Sequence, residues 1–242
     1  MQFATIVHRA CVLIAILSIG VGGSAQTSGT HPLRAVIVHL PPGVHLQSAQ
    51  VVYFLYGPFG ARGGGITPTK NGKSFAIDTD VDGVPASEIR IVVYLPGCKF
   101  ALLDVRLNGK SEERQRQLFC APRPSVPLRG AVFPLSFTQE QSTVIEVVYL
   151  AEWANRFFGI ADGAVPSFRI ATIKPDEDGR FQIEMPDVHH HQSRGDGFQF
   201  ILRDSKTWNI IAFLKPAENP HGSSVLPVQP SYDMVRFVAE MR

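Results

Sequence analysis

The sequence predicts an all-β chain of two tandem β-sandwich domains behind a signal peptide. Three observations carry that prediction. The apolar segments are short, rich in β-branched and aromatic residues, and bounded by Gly, Pro, Asn or Asp. One order of turns and strands occurs twice. A Pro-rich stretch, APRPSVP, separates the two copies and reads as a stiff, extended spacer. With 45% hydrophobic and only 18% charged residues, the chain can bury a real core, which argues against disorder.

The N-terminus reads as an export signal. Met1 to Arg9 carries one Arg, and Ala10 to Val21 is an apolar run. Gly23 and Ala25 place small residues at the −3 and −1 positions, so cleavage is expected before Gln26. The run falls short of the roughly 20 residues a membrane span needs. Retention as an N-terminal anchor is the competing reading. Cys11 opens the apolar run, whereas a lipidated cysteine would follow it. Pro, Gly or charge interrupts every later apolar stretch, so no transmembrane span is expected in the mature chain. The expected location is secreted or periplasmic.

Removal of residues 1–25 leaves two cysteines, Cys98 and Cys120. An even count in an oxidising compartment predicts a disulfide. The alternative is two buried thiols. The CxxC spacing of a redox motif is absent, so the bridge is expected to be a staple.

In the first domain, residues 32–121, strands are expected at Leu33–Leu40, Ala49–Tyr56, Ser74–Ile77, Glu88–Leu95 and Phe100–Leu107. Turns fall at Pro41-Pro42-Gly43, Gly57-Pro58, Asn71-Gly72, Pro96-Gly97 and Asn108-Gly109. Ser111–Gln117 is polar all round and is expected to be a loop or a single helical turn. Residues 122–127 are expected to be the linker. In the second domain, residues 128–230, strands are expected at Leu128–Phe133, Thr143–Leu150, Ser167–Ile173, Arg180–Met185, Gly197–Leu202 and Asn209–Leu214. Residues 231–242 form a C-terminal segment whose apolar piece, Met234–Ala239, would close a sheet edge or make a last helical turn.

The copies align through their turns. NGKSFAID at 71–78 parallels DGRFQIE at 178–184, each a tight x-Gly turn leading into an alternating strand. VVYFLYGPFG precedes the first and VIEVVYLAEW precedes the second. EIRIVVYLPGCKFALLDV and GFQFILRDSKTWNIIAFL follow them.

The run PDEDGRFQIEMPD at 175–187 resembles the "DGxFxIxLPxG" hairpin of carboxypeptidase regulatory-like domains. LRGAV at 128–132 resembles the "LxGxV" opening strand of that family. The resemblance covers about residues 126–216. It departs from the family at Phe133-Pro134, where a "GxPVxGAxV" pattern would continue. It implies an Ig-like, transthyretin-like (prealbumin-like) sandwich. It also implies a structural or binding accessory, in some members contacting carbohydrate, without catalysis of its own.

Composition and motifs narrow the chemistry. Lys plus Arg total 23 against 21 acidic residues, which argues against a nucleic-acid partner. His189, His190 and His191 are metal-ligating types, with Asp187 beside them. Adjacent residues of a strand point to opposite faces, so convergence would require a loop, and a solvated loop is the plainer reading. Asp78, Asp80 and Asp82 with Gly83 reproduce the first half of a calcium loop. The twelfth position is Ile89 and no helix pattern flanks the run, so an EF-hand fails. A non-helical Ca²⁺ site or an Asp-rich turn remains. The glycine-rich run Gly57–Gly65 lacks the following Lys-Ser/Thr of a phosphate cradle. No GxSxG or HExxH is present. The pair Glu152 and Asp162 is one of many acid pairs available to a glycosidase-type site. Trp153, Phe157, Phe158 and Trp208 sit in or beside expected loops. Exposed there, they would suit a sugar ring or a protein partner; otherwise they cap the core.

The expected function is therefore an exported, non-catalytic binding or scaffold protein without a cofactor. Its partner would be a protein or cell-surface polysaccharide. Two alternatives stand beside it, a polysaccharide-acting hydrolase and an extracytoplasmic metal-binding protein.

Overall fold

The computed structural model describes residues 35–58, 60–62, 66–68, 72–81, 84–107, 114–136, 142–160, 165–188, 196–218, 224–229, 232 and 234–241. The expected signal peptide lies outside the described residues.

The chain is all-β. Its first half contains β1 (Ala35–His39), β2 (Gln50–Gly57), β3 (Gly60–Arg62), β4 (Ile66–Pro68), β5 (Ser74–Asp78), β6 (Asp80–Val81), β7 (Val84–Pro85), β8 (Glu88–Tyr94), β9 (Ala101–Arg106) and β10 (Arg114–Gln117). Two sheets, ordered β10-β1-β5-β4 and β3-β2-β8-β9, enclose a core. Val36, Val38, Phe75 and Ile77 meet Tyr53, Leu55, Ile89, Ile91 and Val93 there. The two-residue period of a strand explains why Val36 and Val38 are buried while Ile37 between them is not.

The second half contains β11 (Ser125–Phe133), β12 (Thr143–Leu150), the helix α1 (Glu152–Phe158), β13 (Ser167–Ile173), β14 (Arg180–Pro186), β15 (Gly197–Asp204), β16 (Ile210–Pro216), β17 (Val225–Pro227) and β18 (Met234–Met241). Its sheet runs β13-β12-β15-β16-β18-β11-β14, with β17 on β15. The pairing repeats that of the first half. β1 pairs antiparallel with β5 and parallel with β10. β11 pairs antiparallel with β14 and parallel with β18. β2-β8-β9 corresponds to β12-β15-β16. One seam distinguishes the halves: β18 also pairs with β16, joining what the first half keeps as two sheets.

The two motifs of the family resemblance meet in space. Gly130 of LRGAV lies directly opposite Phe181 of DGRFQIE. A Cβ on Gly130 would stand 2.4 Å from the Phe181 ring, so the ring occupies the space that glycine leaves. Phe181 packs with Phe200 and Phe237 inside the sheet. Gly179, at φ 71°, makes the turn before Phe181, and the Asp176 carboxylate accepts the Arg180 N–H at 2.7 Å.

Several expectations are corrected. Arg114–Gln117 is not a loop or helical turn but a strand at a sheet edge. Its backbone pairs with β1 while its side chains stay polar, so no apolar alternation announced it. The expected linker is shorter than residues 122–127, because Ser125 to Pro127 already pair with Pro186 to Glu184. The C-terminal piece is neither an edge strand nor a helical turn. β18 lies inside the sheet between β16 and β11 and buries Phe237.

The segment AEWANRFFG is a helix rather than a binding loop. Gly159, in the left-handed conformation, stops it. Trp153 and Phe158 are buried and Phe157 packs against the core, so these three are not exposed aromatics. Their burial joins the halves. The sheet face of β2 and β8 turned away from the first core presents Val52, Phe54, Val92 and Tyr94 to the second. Phe54 meets Phe158 at 4.8 Å, and Phe100 meets Trp153 at 5.4 Å and Phe168 at 5.0 Å. Burial on both faces explains why EIRIVVYL is nearly continuously apolar.

Candidate functional site

The sheet that buries these aromatics on one face carries a polar cluster on the other. In β12, Ile145, Val147 and Tyr149 enter the core, so Glu146 points outward. Its side chain is nevertheless only 2% exposed. Arg169 of β13 lies opposite Val148, and Arg203 of β15 lies opposite Val144. Both arginines are therefore diagonal neighbours of Glu146, one on each flanking strand. Arg169 Nε donates to one carboxylate oxygen at 2.6 Å, and Arg203 Nε to the other at 2.5 Å. Charge-assisted bonds at both oxygens offset the desolvation of the carboxylate.

Trp208 covers the cluster. Its ring centroid lies 5.2 Å from the Arg169 guanidinium carbon and 5.5 Å from that of Arg203. Arg203 Nη1 also donates to the Trp208 carbonyl at 2.8 Å. Trp208 closes the β15–β16 hairpin with φ 62°, a left-handed conformation normally left to glycine. The turn is held from its other end by Asp204. The Asp204 carboxylate accepts N–H bonds from Thr207 at 2.7 Å and Lys206 at 2.9 Å, and the Thr207 hydroxyl at 3.0 Å. Those bonds, led by the Thr207 N–H, hold the Asp204 carboxyl below its ordinary 3.8.

Of the aromatics singled out for binding, Trp153 and Phe158 are buried, Phe157 is half-buried against the core, and Trp208 is half-buried in a turn beside the ion triad. The disulfide Cys98–Cys120 is formed. It ties the β8–β9 turn to the chain leading into β11, where Lys99 N–H also bonds the Ala121 carbonyl at 2.8 Å. Asp78 Oδ1 accepts the Asp80 N–H at 2.9 Å, the local bond of an Asp-rich turn. Asp80 Oδ1 is buried without a hydrogen-bond partner. Asp82, Asp162, His189, His190 and His191 lie outside the described residues. Among the described residues, no three His, Cys, Asp or Glu side chains gather as a metal site. No helix among them is long and apolar enough to cross a membrane. Beside the glycine-rich hairpin, Leu55, Gly57, Val84 and Ala86 line an open depression.

No protein-family model matches this chain. No curated protein matches it either. Among solved structures, it is similar at low level to the TIE protein of Bacillus anthracis. That likeness has a TM-score of 0.26 and 7% identity over 86% of this chain, which spans about a third (34%) of the other. A second likeness is to a point mutant of the shaft pilin SpaA from Lactobacillus rhamnosus GG. It has a TM-score of 0.27 and 8% identity, covering 86% of this chain and 98% of the pilin. A third is to a streptococcal ancillary pilin, with a TM-score of 0.28 and 10% identity, covering 88% of this chain and 64% of that one. Likenesses at this level assign no function.

The sequence reading passed over Glu146, Arg169 and Arg203. A signal was present: Glu146 is the single charge in the strand TVIEVVYL, and an acid there needs partners. Which cations supply them depends on strands more than 20 and 50 residues away.

Proposed function

We propose that this chain is an exported, non-catalytic binding or scaffold protein of two tandem β-sandwich domains. It contacts a cell-surface polysaccharide or protein through the Trp208 face of its second half. The observation that carries this reading is Trp208 itself. A bulky residue in a left-handed conformation costs roughly 1–2 kcal/mol, and such strain concentrates at functional sites. Here a buried ion triad and an Asp-capped turn hold the indole in place.

Two further features fit. A disulfide at the junction suits an oxidising compartment. The acids of the core are engaged structurally: Glu146 by two arginines, and Asp196 by the Trp153 N–H at 3.1 Å.

The test is retention. The purified chain, immobilised, is offered an array of polysaccharides and a cell-surface protein extract, and bound material is recovered and analysed. Recovery of an intact polymer or protein that Trp208→Gly fails to retain supports the reading. Cleavage of the retained polymer, or retention of nothing by the wild-type chain, overturns it.

A further inference from the structure

We infer that the Trp208 face binds an acidic polysaccharide, with a uronate sugar ring stacked on the indole and its carboxylate held by Arg169. The inference rests on the reading of the chain as a surface-binding protein, and adds the class of its ligand.

Both guanidiniums hold the same Glu146 carboxylate and both lie against the indole. Trp208 makes no other ring contact among the described residues. It lies in a hairpin turn and is half-buried. A flat aromatic face with a polar edge suits the C–H face of a pyranose.

Charge selects among pyranoses. Arg169 and Arg203 bring two positive charges against the single carboxylate of Glu146, so the triad under the indole carries a net positive charge. Arg169 spends only its Nε on Glu146, and its side chain is 39% exposed. Its terminal nitrogens make no further bond among the described residues. They form the end-on fork that matches a carboxylate. The fork is already oriented: Glu146 grips the guanidinium from behind, and Gln50 bonds the main chain of Arg169. Little side-chain entropy is then lost on binding.

Polygalacturonate and its fully methyl-esterified form share a backbone and differ in charge. We expect the purified chain to be retarded in a gel containing polygalacturonate and not in one containing the ester, with retardation weakening as salt rises. Trp208→Gly removes the ring and keeps a residue suited to the left-handed turn. Arg169→Lys keeps the charge beside Glu146 and removes the fork. Each is expected to weaken retardation on the order of tenfold. Equal retardation by acid and ester, or full binding by either variant, overturns the inference and leaves the surface-binding reading standing. Absence of wild-type retardation by polygalacturonate also overturns it. The broader reading then falls only if the polysaccharide and protein array is blank as well.

Discussion

The side-chain amide of Gln50 pairs with both main-chain groups of Arg169. Gln50 Nε2 donates to the Arg169 carbonyl at 2.5 Å, and the Arg169 N–H donates to Gln50 Oε1 at 2.6 Å. β13 is the edge strand of the second-half sheet, so these groups face away from β12. One residue of the first half thus imitates the strand that the edge lacks and joins the two halves. Gln50→Ala strips the partner from a part-buried donor and acceptor. A loss of about 1–3 kcal/mol is expected from denaturant unfolding. Gln50→Glu should cost more, because a carboxylate cannot donate to the carbonyl. Equal stability of wild type and both variants would refute the bracing role.

The Cys98–Cys120 bridge closes a loop with a sequence separation of 22. Reduction or Cys120→Ser should lower stability by about 3 kcal/mol in the chain-entropy model. Cys98 is buried and Cys120 is exposed. Mass measurement after alkylation should show no modification at either residue before reduction and two labelled thiols after reduction and unfolding. Labelling of the unreduced chain at either position would contradict the bridge.

Trp208 separates backbone strain from ring contacts. Glycine at φ 62° relieves roughly 1–2 kcal/mol of strain. It also removes two cation–π contacts worth about 0.5–1 kcal/mol each. Trp208→Gly is therefore expected to lie within about 1 kcal/mol of wild type by thermal unfolding. Trp208→Ala loses the contacts and keeps the strain, so it should be the less stable of the two. The reverse order would contradict the assigned backbone conformation.

All five tyrosines should resist ionisation. Burial, the leading cause in each case, raises the pKa of Tyr53, Tyr56, Tyr94, Tyr149 and Tyr232. Tyr53 and Tyr232 reach about 12. A phenol raised in the folded state contributes stability below its unfolded value of 10.0, and that stability is lost as pH rises through the folded value. Phenolate absorbance should therefore stay low through pH 10 and rise together with loss of β-sheet circular dichroism. A normal titration near 10 in the still-folded protein would contradict the assigned burial.

Much of the fold was legible because its signals are local. Thr143–Leu150 and Ser167–Ile173 are strands with the bounds expected from their runs. Asp178-Gly179 announced its hairpin, and Gly130 and Phe181, each part of a recognisable motif, proved to be partners. Less was legible of the candidate site. Trp208 drew notice as an aromatic in a turn, yet its left-handed backbone and two arginines leave no periodic trace.

The sequence by itself determined the alternation of apolar residues and the turns between them, and through these the repeated strand order. It also supplied Cys98 and Cys120, the two cysteines that form the bridge. Tertiary structure alone decided which aromatics are buried: Trp153 and Phe158 vanish because α1 packs against the outer face of β2 and β8. It also decided that polar β10 and C-terminal β18 each lie parallel to the first strand of their half. The physical reason is range. A two-residue period is written in neighbouring residues, whereas register sets which distant side chains share a face, and register brings Arg169 and Arg203 to the two oxygens of Glu146.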